Sequence, residues 1–86
     1  MARQVIVVGD STTHGGRVIT GSQLDVIDGK AIARKGDLVE CPQHGNNPIV
    51  EGDESMMVDG KPVALEGHHA ACGCAIVSES QTLSMP

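Results

Sequence analysis

Residues 26–34, V-I-D-G-K-A-I-A-R, and residues 57–65, M-V-D-G-K-P-V-A-L, are two versions of one segment in a chain of 86 residues. Each centres on an Asp-Gly pair with apolar residues before it and Lys after it. A two-residue Asp-Gly loop is a strong hairpin signal, because a type I′ turn needs positive φ at both central positions and Gly adopts it without steric cost. The segments therefore predict two equivalent β-hairpins, turning at Asp28-Gly29 and Asp59-Gly60. A Gly-Asp or Gly-His pair follows each copy shortly afterwards, at Gly36-Asp37 and Gly67-His68, and Gly9-Asp10 precedes the first.

Superimposing these three pairs aligns nearly the whole chain, as an internal repeat requires. The first unit reads G-D-S-T-T-H-G-G-R-V-I-T-G-S (9–22), and the second G-D-L-V-E-C-P-Q-H-G-N-N-P-I-V-E-G-D (36–53). The third reads G-H-H-A-A-C-G-C-A-I-V-S-E-S (67–80). Units one and three match without a gap, and unit two carries four extra residues around Pro42-Gln43-His44. Each unit is too short and too glycine-rich to bury a face alone. Three copies around a shared axis would bury one another. The third copy stops halfway, so a closed pseudo-threefold object is expected rather than an open solenoid, which would need a capping repeat.

The expected elements are short strands. Arg17-Val18-Ile19-Thr20 and Pro48-Ile49-Val50 are β-branched runs bounded by Gly, Asp and Asn. No stretch has helical periodicity, and Ala70-Ala71-Cys72 forms at most a short turn. The fold class is all-β: short hairpins with pseudo-threefold repeat symmetry in one domain, residues 1–86, with units starting near 9, 36 and 67.

Composition narrows the function. There is no Phe, Tyr or Trp, so Val, Ile, Leu, Met and Ala must supply the core. Met56, Met57 and Met85 read as filling for that interior. So small a core commonly needs a metal, disulfides or a partner. Three Cys, with no export signal before them, argue against a disulfide framework and for free or metal-bound thiols in a reducing compartment. The net charge is −5, with six basic residues and no basic cluster, and aromatic stacking platforms are missing; nucleic-acid binding is not expected. The run Val5-Ile6-Val7-Val8 is too short for a membrane span.

Residues with metal chemistry sit at matching places. His14, Cys41 and Cys72 each lie five positions after the leading Gly of their unit. His44 lies three after Cys41, and His68 four before Cys72. Equivalent positions of a threefold object converge near its axis, and thiolate with imidazole suits a tetrahedral zinc ion. Asp10 and Asp37, the equivalents of His68, read as turn caps. Cys74 reads as a bystander thiol, although it shares the alternating face of Cys72, and Glu40, Glu51, Glu54 and Glu66 read as solvated charges.

The motifs G-D-S-T-T-H-G-G, D-G-K-A-I-A-R-K-G-D, C-P-Q-H-G, D-G-K-P-V-A-L-E-G-H and the closing C-G-C resemble the PAAR-repeat family over essentially the whole chain. The Pro-Ala-Ala-Arg signature itself has drifted to Ala-Ile-Ala-Arg (31–34) and Pro-Val-Ala-Leu (62–65). The resemblance implies a β-cone with a zinc site near its vertex. Its broad base docks, one copy per trimer, on the blunt β-helical end of the valine–glycine repeat spike protein of a bacterial type VI secretion system. Such a tip sharpens the spike for membrane puncture and carries effectors. This chain, with its repeats starting near residue 9 and the third unfinished at Pro86, would be a bare tip binding any cargo non-covalently. It would sit in the cytoplasm before firing and enter the target cell with the spike, without stable membrane insertion.

Family zinc is held by three His and one Cys. Carried over, that set is His14, His44 and Cys72 with a third His; His68 is favoured, His69 is its rival, and Cys41 is a possible fourth ligand instead. No catalytic residues are implied. The alternatives are a small zinc-binding adaptor or metal carrier, and a zinc hydrolase, which would need an open coordination position and a general base.

Overall fold

The computed structural model describes residues 4–27 and 29–78; Asp28, Met85 and the last segment of the third unit lie outside the described residues. Among the described residues nine short strands form: β1 Ser11–Thr12, β2 Arg17–Val18, β3 Val26–Ile27, β4 Lys30–Ala31, β5 Leu38–Cys41, β6 Gly45–Pro48, β7 Asp53–Val58, β8 Lys61–Val63 and β9 Ile76–Val77. Among the described residues there is no helix. A five-stranded sheet in the order β6-β5-β2-β1-β9 joins all three units, and β3-β4 and β7-β8 are separate hairpins.

The threefold relation is written in the backbone hydrogen bonds. Ile6 N–H donates to the Ala64 carbonyl, Ala33 N–H to that of Ile6 and Ala64 N–H to that of Ala33, at 3.0, 2.9 and 3.0 Å. These residues are repeat equivalents, so the three bonds close a ring. A second ring joins Val8 to Ala31, Lys35 to Pro62 and Glu66 to Gln4. The units also meet edge to edge at equivalent pairs, Val18↔Val39, Ile49↔Ala70 and Thr12↔Ile76. Edges that would otherwise be open templates are thereby paired within the chain.

The same residues make the core. Ile6, Ala33 and Ala64 are all fully buried and pack with Val18, Val39, Ile49, Ala70, Cys74 and Ile76. Three side chains meet from the three units, and one Ile beside two Ala fills a space that three large chains would overfill. A second cluster of Val5, Ile32, Val58, Val63 and Leu65 lies under the hairpins, with Ile27 and Met56 packed against it. Met57, expected inside, is instead exposed. Its neighbour Met56 takes the inward side, and adjacent strand residues face opposite ways.

Gly29 and Gly60 have φ of 78° and 76°, and Asp59 stands at 55°. A Cβ at either Gly would meet nothing within 4 Å, so the cost of a side chain there is conformational and not steric. Gly29→Val and Gly60→Val are each expected to lose roughly 1–2 kcal/mol, read as a lower urea midpoint at unchanged slope. Two neutral substitutions would contradict the hairpin assignment.

One unit breaks the symmetry. Where the others have Val7 and Leu65, the second has Arg34, which is buried beside Asp37. Its Nε and Nη2 donate to the two Asp37 oxygens at 2.9 and 3.2 Å, and its Nη1 to Asp59 Oδ2 at 2.8 Å. Ser22 Oγ donates to the same Asp59 oxygen, and Thr20 Oγ1 to Asp37 Oδ1. Burial pushes the Asp37 carboxyl up, but hydrogen bonds from the Arg34 side chain, the Arg34 N–H and Thr20 together outweigh it and hold the group below its ordinary value. A folded-state value below the unfolded one gives stability that is present above the ordinary carboxylate range and lost as pH falls through the folded value. Acid unfolding should therefore steepen below about pH 4, and Asp37→Asn should shallow that slope in stability measured against pH.

Candidate metal centre

Equivalent turns deliver the candidate ligands. His14 sits in the β1–β2 turn, which is held by Thr12 N–H to the Gly16 carbonyl and Gly15 N–H to the Thr12 carbonyl, both 3.0 Å. Cys41 closes β5, opposite Gly45. His44 lies in the following turn, where its N–H reaches the Cys41 carbonyl at 3.3 Å. Cys72 lies in the third turn, between the pairs Ile49↔Ala70 and His69↔Ala75. Its N–H donates to Asn47 Oδ1 at 3.0 Å, so the second unit braces the third-unit ligand. Nothing in the sequence singles out Asn47; its role comes from β6 passing beside the turn.

The four ligand atoms lie within 4.8 Å of one another. Cys41 Sγ is 3.4 Å from His44 Nδ1 and 3.6 Å from His14 Nδ1, and Cys72 Sγ is 3.9 Å from His14 Nδ1. A tetrahedral ion with metal–sulfur and metal–nitrogen bonds of about 2.3 and 2.0–2.1 Å sets sulfur–nitrogen edges of roughly 3.5 Å. The cluster fits a metal ion of that size. The Cys72 thiol is held below its ordinary value, first by the Cys74 backbone N–H donating to its sulfur, so it favours the thiolate a metal requires. Burial, together with the neighbouring Cys72 sulfur, pushes the Cys74 thiol up.

The structure brings His14, His44 and Cys72 together with Cys41, and it places His68 elsewhere. His68 Nδ1 accepts the Leu65 N–H at 2.9 Å. Asp10 Oδ2 accepts the Val7 N–H and Asp37 Oδ2 the Arg34 N–H, each at 2.8 Å, in the equivalent places. His68 thus does the work of an Asp turn cap, and Cys41 is the side chain that stands with His14, His44 and Cys72 in a group that could hold an ion. The alternation that put His68 on the face of Cys72 requires extended chain throughout. The chain instead turns at Ala70, whose carbonyl accepts the Gly73 N–H at 2.9 Å, and the parity is lost. His69 is also outside the cluster: Glu51 Oε1 accepts both its backbone N–H and a hydrogen bond from its Nδ1, each at 2.7 Å. The signal that finds Cys41 is the register itself, since it stands five residues after its Gly as His14 and Cys72 do.

Two imidazoles and two thiols form a complete tetrahedral donor set, suited to holding an ion rather than activating a water. A search of curated proteins returns no match to the chain. A family model described as the PAAR motif matches residues 8–78, which takes in the first two units, the third as far as Ser78 and every residue of the cluster. With that match over most of its length, the chain belongs to the PAAR-motif family.

Proposed function

We propose that this chain is the zinc-stabilised tip of a type VI secretion spike. It docks one copy on the end of a trimeric valine–glycine repeat spike protein. It sharpens the spike for membrane puncture and brings non-covalently bound effectors with it. The observation that carries the reading is the closed threefold ring of backbone bonds in one chain of a PAAR-motif protein. Three near-equivalent sectors on a single polypeptide match a true threefold partner at one copy per trimer. The metal would be structural zinc on His14, Cys41, His44 and Cys72; its chemistry is to tie the three turns together, contributing folding energy to a core without aromatic residues. Four protein donors favour this over a zinc hydrolase, which keeps a position open.

Docking would use the hairpins. Val26 and Met57 occupy equivalent positions on β3 and β7, and both are exposed, as is Leu24, two residues before Val26. Apolar contacts and strand pairing, rather than salt-sensitive charge contacts, would hold the base. Before firing the protein would reside in the cytoplasm, and it would reach the target cell with the spike. Titration against purified spike trimer, with the complex weighed by light scattering, should saturate at one copy per trimer at both low and moderate salt. Three copies per trimer, or no complex, would sink the docking mechanism whatever the metal content.

A further inference from the structure

Cys74 has no place in the four-donor set, yet its sulfur lies 3.4 Å from Cys72 Sγ. Only Gly73 separates the two residues, and its φ of 94° makes the tight turn that aims both sulfurs the same way. Cys74 is fully buried in the main core cluster, whereas Cys72 is only partly buried. Cys41, the remaining thiol, has imidazole nitrogens at 3.4 and 3.6 Å.

We infer that Cys72 and Cys74 form a redox couple whose oxidation to a disulfide withdraws Cys72 from the metal and releases the ion. The inference rests on the metal reading above, and it adds a function for the one thiol that reading leaves over. The oxidant is a disulfide, either a small molecule or a thiol–disulfide oxidoreductase. The Cys72 thiolate, the more accessible sulfur, attacks one sulfur of the oxidant; that S–S bond breaks and one thiolate leaves. Cys74 then attacks Cys72 Sγ in the mixed disulfide, and its proton goes to the second departing sulfur, which leaves as a thiol. Two electrons pass from the pair to the oxidant, which ends as two thiols. Closing from 3.4 Å to a bond of about 2.05 Å requires side-chain rotation within one turn.

A bound metal and the disulfide compete for the same sulfur, because a liganded thiolate is a poorer nucleophile and an oxidised Cys72 cannot ligate. The centre would therefore be firm in a reducing compartment and labile in an oxidising one. His14, Cys41 and His44 alone would leave the third turn untied.

The test exposes the zinc-loaded full chain, and a metal-free sample, to oxidised glutathione. Intact mass, peptide mapping and zinc release to a colorimetric chelator are followed together. The expected result is loss of two hydrogens per chain, a Cys72–Cys74 link in the map and one zinc released per link. Cys74→Ser and Cys74→Ala should form no internal disulfide, should stop at a glutathione adduct, and should release zinc more slowly than the wild type. A link through Cys41, no link in the metal-free wild type, or a link formed with zinc retained would overturn the inference. So would Cys74 variants that release zinc as fast as the wild type. A preparation that takes up no zinc would sink the metal reading alone, since the peptide map of the metal-free chain still decides whether the couple forms.

Discussion

Cys72→Ser and His14→Ala are each expected to abolish stoichiometric metal binding and to lower Tm by roughly 15–30 °C. The magnitude follows from linkage: a ligand at about a thousand times its Kd stabilises the native state by about 4 kcal/mol, and each kcal/mol is worth about 4–8 °C in a domain of this size. The effect is large because each residue sits on a different turn. His14 is in the first unit and Cys72 in the third, so an ion held by both would cross-link distant parts of the chain. Cys41→Ala should behave like Cys72→Ser. His68→Ala should retain the metal and lose a turn cap, about 1 kcal/mol from the orphaned Leu65 N–H. Metal content by plasma emission with thermal melts, before and after chelator, checks all four. Full zinc in Cys72→Ser or Cys41→Ala, or its loss in His68→Ala, would contradict the ligand set.

Gly16→Ala is expected to destabilise by about 3 kcal/mol or more, for a reason unlike that at Gly29 and Gly60. The backbone of Gly16 lies hard against β5: an added Cβ would run into the Glu40 carbonyl group, 2.8 Å from its carbon, and would stand 3.2 Å from Cys41 Cα. Those atoms are main chain within the β2–β5 pairing, so they have no rotamer by which to yield. The displaced residue would be Cys41, and weaker metal affinity should accompany the lower urea midpoint. Gly15→Ala next door meets nothing within 4 Å and carries only the penalty of its φ of 86°. A Gly16→Ala protein as stable and as tightly metal-bound as the wild type would mean that β2 and β5 do not approach as described.

The repeat was legible from the chain because its signals are local. Asp59-Gly60 adopts positive φ as an isolated dipeptide preference, and Gly9, Gly36 and Gly67 mark one turn recurring at a readable spacing. The turn-capping role of Asp10 and Asp37 was equally local, since the bonds span three residues. So was the five-residue register that puts His14, Cys41 and Cys72 in one class.

Which of several eligible side chains point inward together depends instead on long-range contacts. Alternation along an extended strand favoured His68, but a turn at Ala70–Gly73 resets that parity, and whether a segment turns depends on neighbours such as Asn47, distant in sequence. The Arg34–Asp37–Asp59–Ser22 network is likewise invisible in one dimension, because its members come from different units and a buried charge is tolerable only once its partners have converged. The all-β repeat, its turns and the short roster of possible ligands follow from backbone preferences over a few residues and could be read along the chain. The place of Cys41 beside His14, His44 and Cys72, the burial of Arg34 and the contact between Cys72 and Cys74 follow from how three units close on one another, because side-chain proximity in a ring is set by long-range pairing and not by spacing.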